Sequence, residues 1–151
     1  MSLDLYEETM ALLSALDAAS VEHALAGGVA LAVHGAPRAT TDVDLLVRPE
    51  ALEVALQVAA ARGFTLRALP MRFSDGLEIQ RVTKVAGDES LTLDLLLVNS
   101  NLDPVWTGRV RLATEAGGIW VVSREGLIQM KAWAGREQDL ADIKRLQDLD
   151  R

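Results

Sequence analysis

Residues 91–98 read Leu-Thr-Leu-Asp-Leu-Leu-Leu-Val, and the one charge in that run, Asp94, constrains this chain more than any other feature. The run has the composition of an interior strand and is far too short to span a bilayer. A carboxylate inside such a strand is costly unless a charge partner or a metal answers it. The competing reading puts Asp94 at the strand end, pointing at solvent. On the first reading the chain must build a sheet and bring positive charge to its interior.

A second strand repeats the problem. Between Asp42 and Arg48 the sequence interleaves Val43, Leu45, Leu46 and Val47 with two carboxylates. Asp42 and Asp44 are two apart, so on a strand they leave the same face. Two anions held close repel and lose hydration, and an arginine or a divalent cation with oxygen ligands would compensate. The plainer alternative has Asp42 capping a loop and Asp44 facing solvent. If Asp94 lies on an adjacent strand, three carboxylates make an oxygen-rich pocket suited to two Mg²⁺ ions, which could orient a triphosphate.

Gly27-Gly28 lies between a short apolar run, 24–26, and a short helical stretch, 29–33, closed by His34-Gly35-Ala36-Pro37. Glycines there let backbone approach phosphate oxygens, and a helix start favours an anion. A Gly-Gly pair also marks ordinary tight turns, so its weight comes from order: strand, Gly-Gly, helix, loop, then a strand opening on Asp-x-Asp.

The rest of the chain sets bounds. Its 151 residues suit one domain, 1–151, with a helical C-terminal part from about residue 123. Cysteine is absent, which removes disulfides and Cys-based zinc sites. Acids at Asp4, Glu7 and Glu8 stand where a secretory signal needs a basic start, so a cytoplasmic protein without a membrane partner is expected. The net charge of -7, with Arg62, Arg67 and Arg72 dispersed and Arg109 beside Arg111, argues against an extended nucleic-acid surface.

Periodicity predicts a helix over 3–19 with Ser2 as N-cap and a helix from Pro49 to about Arg62. Strands are predicted over 64–69, 77–84 and 91–98, with turns at Ser74-Asp75-Gly76 and Gly87-Asp88. Shorter strands follow at 110–113 and 118–122. Ser123 caps a helix through Trp133, Gly135 interrupts, and 137–149 forms a last helix with Leu140, Ile143, Leu146 and Leu149 on one face. The expected architecture is an α/β or α+β fold, helices at both ends of a mixed sheet of about four to six strands.

The stretch from Gly27-Gly28 through His34-Gly35, Arg38-Ala39-Thr40 and Asp42-Val43-Asp44 resembles the signature of the polymerase-β-type nucleotidyltransferase superfamily, in particular its bacterial AbiEii-type branch. Leu93-Asp94-Leu95 matches the third carboxylate, and residues 127–142 are similar to that branch's C-terminal helices. The resemblance implies a nucleotidyltransferase-like mixed sheet, with Asp42, Asp44 and Asp94 as catalytic metal ligands for Mg²⁺ or Mn²⁺. Asp94 would help deprotonate the attacking hydroxyl. Gly27, Gly28, Arg38, Thr40 and Lys131 would bind the nucleoside triphosphate (NTP), with Lys131 touching the triphosphate or supporting Asp42. For Arg38 a surface ion pair, and for Lys131 a solvated helix position, are the plain alternatives. Where the superfamily often carries Ser or Thr after Gly-Gly, this chain has Val29 and lacks that hydroxyl.

Three functions follow: transfer of a nucleoside monophosphate to a protein or RNA, as the toxin of a toxin–antitoxin pair; nucleotidylation of a small molecule such as an antibiotic; or a regulatory module that binds nucleotide without turnover. So short a chain needs a tiny acceptor site or one shared with a second subunit, so a homodimer is one expectation. Among other residues, His34 suits capping or packing, His23 has no partner pattern, and Trp106, Trp120 and Trp133 suit core or interface. Arg136 pairs with Asp139 in the turn, or Asp139 and Asp142 reach the active site.

Overall fold

A computed structural model describes residues 3–149. Helix α1 (Leu5–Ala18) leads into strand β1 (Ala24–Ala26), helix α2 (Gly27–Val33) and strand β2 (Asp42–Val47). A single 3-10 turn (Pro49–Ala51) opens helix α3 (Leu52–Ala61), followed by β3 (Phe64–Arg67), β4 (Met71–Arg72), β5 (Glu78–Ala86) and β6 (Glu89–Leu97). Then come α4 (Asp103–Thr107), β7 (Val110–Thr114), β8 (Gly117–Val121), α5 (Arg124–Ala134) and α6 (Glu137–Asp148). The sequence patterns missed α4 and β4, both too short to show a period.

The strands form one mixed sheet of eight rather than four to six, in the order β3-β5-β6-β2-β1-β8-β7, with β4 also on β5. The count rises because the short β1 and β4 join an existing ladder instead of standing alone. β2 runs parallel to β6, and β1 parallel to β8; the other pairs are antiparallel. This is a mixed α/β arrangement, with helices packed on a sheet of parallel and antiparallel pairs.

Pleating sorts the central strands into two faces. Val43, Leu45, Leu93 and Leu95 point to one face and are buried. Lys84 of β5 pairs with Leu91 of β6 and so shares that face; its Nζ reaches Glu8 of α1 at 2.7 Å. Helix α1 therefore covers the apolar face, and its Leu12, Leu13 and Leu16 are buried in the core. Asp4, rather than Ser2, caps α1, its carboxylate accepting from the Glu7 N–H at 2.8 Å; Ser2 lies outside the described residues.

At the C-terminus Ser123 caps α5 as expected, accepting from the Gly126 N–H, and Gly135 stops it in the left-handed conformation at φ +63°. The expected apolar face of α6 needs correction. Leu146 is buried, but Leu140 is 59% exposed, and the inward positions are held by Asp139 and Asp142. Among the described residues no helix is long and apolar enough to cross a membrane.

Candidate active site

The parallel pairing of β2 and β6 sets Asp42 opposite Thr92 and Asp44 opposite Asp94. Cross-strand partners share a face, so the three carboxylates project together from the side opposite the Val43 and Leu45 face. The row continues in both directions. Arg81 of β5 lies opposite Asp94, and Ala26 of β1 lies opposite Asp44. Across four strands the row reads Arg81, Asp94, Asp44, Ala26, and Gly27 follows Ala26 directly.

Asp94 is buried, at 7% exposure, and is held by Arg81. The guanidinium donates from Nε to Oδ1 at 2.8 Å and from Nη2 to Oδ2 at 3.0 Å. This two-pronged, charge-assisted pair is the strong form of such contacts, and it raises the pKa of Arg81 above its ordinary value. The charge in the apolar strand is thus answered by an arginine and does not point at solvent. The sequence patterns passed over Arg81, although a signal was there. The Gly87-Asp88 turn leaves a two-residue hairpin, and counting outward from Ala86 and Glu89 brings Arg81 to Asp94.

Asp44 is the contrast. Among the described residues it has no ion pair or hydrogen bond of its own. Its carboxyl is pushed up to about 6, first by burial and then by the charges of Asp94 and Asp42, while Lys131 and Arg81 pull it back. Asp42 sits half-buried at the strand mouth and accepts from the Thr41 hydroxyl at 3.2 Å.

Gly27 turns the chain at φ +66°, and a Cβ built there would lie 2.1 Å from Asp44 Oδ2. Bare backbone is therefore what lets the β1–α2 turn lie against this carboxylate. Gly28 makes room for Thr40 in the same way, since its Cβ would lie 2.7 Å from that side chain. Thr40 packs on this turn, with its hydroxyl 3.5 Å from the Asp42 carbonyl.

The helical wall beside the row is a web of ion pairs. Lys131, buried rather than solvated at 7% exposure, has its Nζ 3.0 Å from Asp142 and 3.6 Å from Asp139. Asp142 also receives Arg38 Nε, at 3.2 and 3.1 Å to its two oxygens. Arg136 pairs with Asp139 at 2.7 Å, as its position in the turn suggested. Burial pushes the Asp139 carboxyl up, but the Arg136 hydrogen bonds and the nearby cations prevail and hold it below the usual range. Arg145 donates to the Pro37 carbonyl, and His34 Nε2 lies 2.8 Å from the Val122 carbonyl, so the loop leading to β2 is tied down at both ends. The structure therefore brings Lys131, Arg38, Asp139 and Asp142 together as one cluster. Its charge reaches the row, since Lys131 acts on Asp44 and Asp44 acts on Arg136.

The remaining candidates lie elsewhere. His23 is fully buried with Nδ1 2.9 Å from the Val21 carbonyl, and burial lowers its pKa. Trp106 is buried, and Arg109 stacks between it and Trp120 at 4.0 and 5.0 Å from the ring centres. Trp133, at 55% exposure, is not a core residue.

Asp42, Asp44 and Asp94, expected as metal ligands, share one face of the sheet, with Asp94 held by Arg81. Among the described residues no group of three acids or histidines is arranged to hold a metal ion, and Arg81 takes both oxygens of Asp94. The donor chemistry at Asp42 and Asp44 does fit a hard divalent cation: oxygen ligands only, with the charge on Asp44 only partly offset by Lys131 and Arg81.

No protein-family model and no curated protein sequence matches the chain. Solved structures do match its fold. A Thermotoga maritima protein described as a nucleotidyltransferase superposes with a TM-score of 0.66 over 97% of this chain and 93% of its own, at 14% identity. An antigenic nucleotidyltransferase-like protein from Paracoccidioides brasiliensis gives 0.62 over 94% of this chain and 75% of its own, at 19% identity. ANT(2'')-Ia, solved in complex with adenylyl-2''-tobramycin, gives 0.60 over 93% of this chain and 87% of its own, at 15% identity. At these identities the likeness defines the fold, which is nucleotidyltransferase-like.

Proposed function

We propose that residues 1–151 act as one metal-dependent nucleotidyltransferase domain, moving a nucleoside monophosphate from an NTP to a hydroxyl acceptor. The observation that carries this reading is the row itself: Asp44, without an ion pair of its own among the described residues, beside Asp94, with the bare Gly27 turn against it. Asp42 and Asp44 would hold Mg²⁺ or Mn²⁺, which when bound offsets charge on the phosphate oxygens. The Gly27-Gly28 turn faces the triphosphate, and Arg38 and Lys131 lend positive charge from the ion-pair web. Asp94 takes the acceptor's proton as its oxygen bonds to the α-phosphorus and pyrophosphate leaves.

Two acceptor classes are supported by different observations. The AbiEii-type resemblance favours a protein or RNA acceptor and an antitoxin partner. The likeness to ANT(2'')-Ia over most of both chains, with the net charge of -7, favours a small cationic polyhydroxylated molecule of the antibiotic type. One experiment separates them. The protein is incubated with each α-labelled NTP and Mg²⁺, in turn with extract protein, extract RNA and an aminoglycoside panel. Label in one fraction names the acceptor class. NTP binding without label in any fraction would instead make the protein a non-catalytic module.

A further inference from the structure

Three cations act with or upon the charge of Asp44: Lys131, Arg136 and Arg81. The first two are held by acids outside the row. Lys131 sits on Asp139 and Asp142, and Arg136 on Asp139, with both acids almost wholly buried. Arg81 alone among them is held by a carboxylate of the row, and it takes both oxygens of that carboxylate.

Resting on the proposed function, we infer that Arg81 is a resident counter-cation on Asp94, released only when a substrate phosphate takes its place. Three features of the pair lead there. A guanidinium and a divalent cation repel, and both oxygens of Asp94 are already committed to the guanidinium, so Asp94 does not add to a metal site while Arg81 is in place. The Arg81 side chain is 42% exposed, so it turns to solvent with little desolvation, whereas an Asp94 left alone would keep a buried and unanswered charge. The planar fork that fits a carboxylate also fits a phosphate, and Arg81 stands at the end of the row, opposite Asp94. The triphosphate is an anion that would draw Arg81 away. Its arrival and the freeing of Asp94 then become one event, and Arg81 changes partner without leaving the site. In the substrate-free protein, Asp42 and Asp44 remain open to metal while Asp94 is closed by a charge of its own.

The test uses Mn²⁺ uptake without nucleotide, followed by electron paramagnetic resonance, so that turnover plays no part. Arg81→Gln should take up Mn²⁺ about tenfold more tightly than wild type, the scale of removing one competing charged hydrogen-bonded pair. Arg81→Lys, which keeps the charge but loses the fork, should fall between them. The wild type carries an independent readout in the Arg81 Nε–H resonance. Mg²⁺ alone should leave it in place, and Mg²⁺ with a non-hydrolysable NTP analogue should move it. If both Arg81 variants bind Mn²⁺ as wild type does while Asp44→Asn loses it, the inference is wrong and the proposed function stands. An Nε–H signal that ignores bound nucleotide overturns the inference in the same way, even should the variants not fold. If no form binds Mn²⁺ with or without NTP, the proposed function fails first, and the inference with it.

Discussion

Asp44 and Asp94 face each other across the parallel pair of β2 and β6, yet Arg81 answers the charge of Asp94 while Asp44 has no partner of its own among the described residues. One row of the sheet therefore holds a settled carboxylate and an unsettled one. The unsettled acid is where ionisation costs stability and where a cation would restore it.

The first consequence is a pH dependence. In the folded protein the Asp44 carboxyl is raised from 3.8 to about 6, so folding favours its protonated form. Its contribution to stability is fully present below about pH 3.8 and is lost as pH rises through about 6. A gap of 3.8 to about 6 corresponds to at most about 3 kcal/mol. Metal-free Asp44→Asn should match wild type near pH 4 in urea unfolding and exceed it by about 2–3 kcal/mol at pH 8. Parallel curves for the two proteins from pH 4 to 8 would mean that Asp44 is not a partly buried anion without a partner.

Asp94 separates holding a nucleotide from using it. With Asp42 and Asp44 on one strand to anchor the metal of the triphosphate, Asp94→Asn should keep most NTP·Mg²⁺ binding in calorimetry. Label transfer should fall by roughly a hundredfold or more, the scale of losing a positioned base. Equal transfer by wild type and variant would take Asp94 out of the mechanism.

Gly27 and Gly87 make a matched pair, at φ +66° and φ +65°. A Cβ on Gly87 meets nothing within 4 Å, whereas one on Gly27 lands on the Asp44 carboxylate. Gly87→Ala should cost about 1–2 kcal/mol, the price of the left-handed backbone alone. Gly27→Ala should cost at least about 1 kcal/mol more and also lose the thermal gain from Mg²⁺ with NTP, because Asp44 must move. Equal losses in the two variants would show that the turn does not lean on Asp44.

Lys131 is the hub of the helical wall. Replacing it with Met removes a buried cation from Asp139 and Asp142 but leaves Arg136 and Arg38 on them. The expected loss is about 3 kcal/mol in chemical unfolding, toward the low end for breaking a buried pair. A loss below about 1 kcal/mol would assign Lys131 to ligand binding and not to support of the wall.

Much of this protein was legible in the chain itself, because local periods are set by neighbours in sequence. The two-residue repeat placed Asp42 and Asp44 on one face of a strand, and glycines marked the stops at Gly35 and Gly135. An apolar run around Asp94 announced that a buried carboxylate needed positive charge. The residue supplying that charge could be counted from the Gly87-Asp88 hairpin, since a two-residue turn links registers that are close in sequence. What no local pattern carries is the pairing of β2 with β6, whose partners stand 50 residues apart, Asp44 against Asp94. Nor does it carry the approach of α6 to the loop at Arg38, which buries Asp139 and Asp142 and leaves Leu140 in solvent. Those choices rest on which distant charges and surfaces satisfy one another once the chain is compact, and there tertiary packing overrides the preference of each segment.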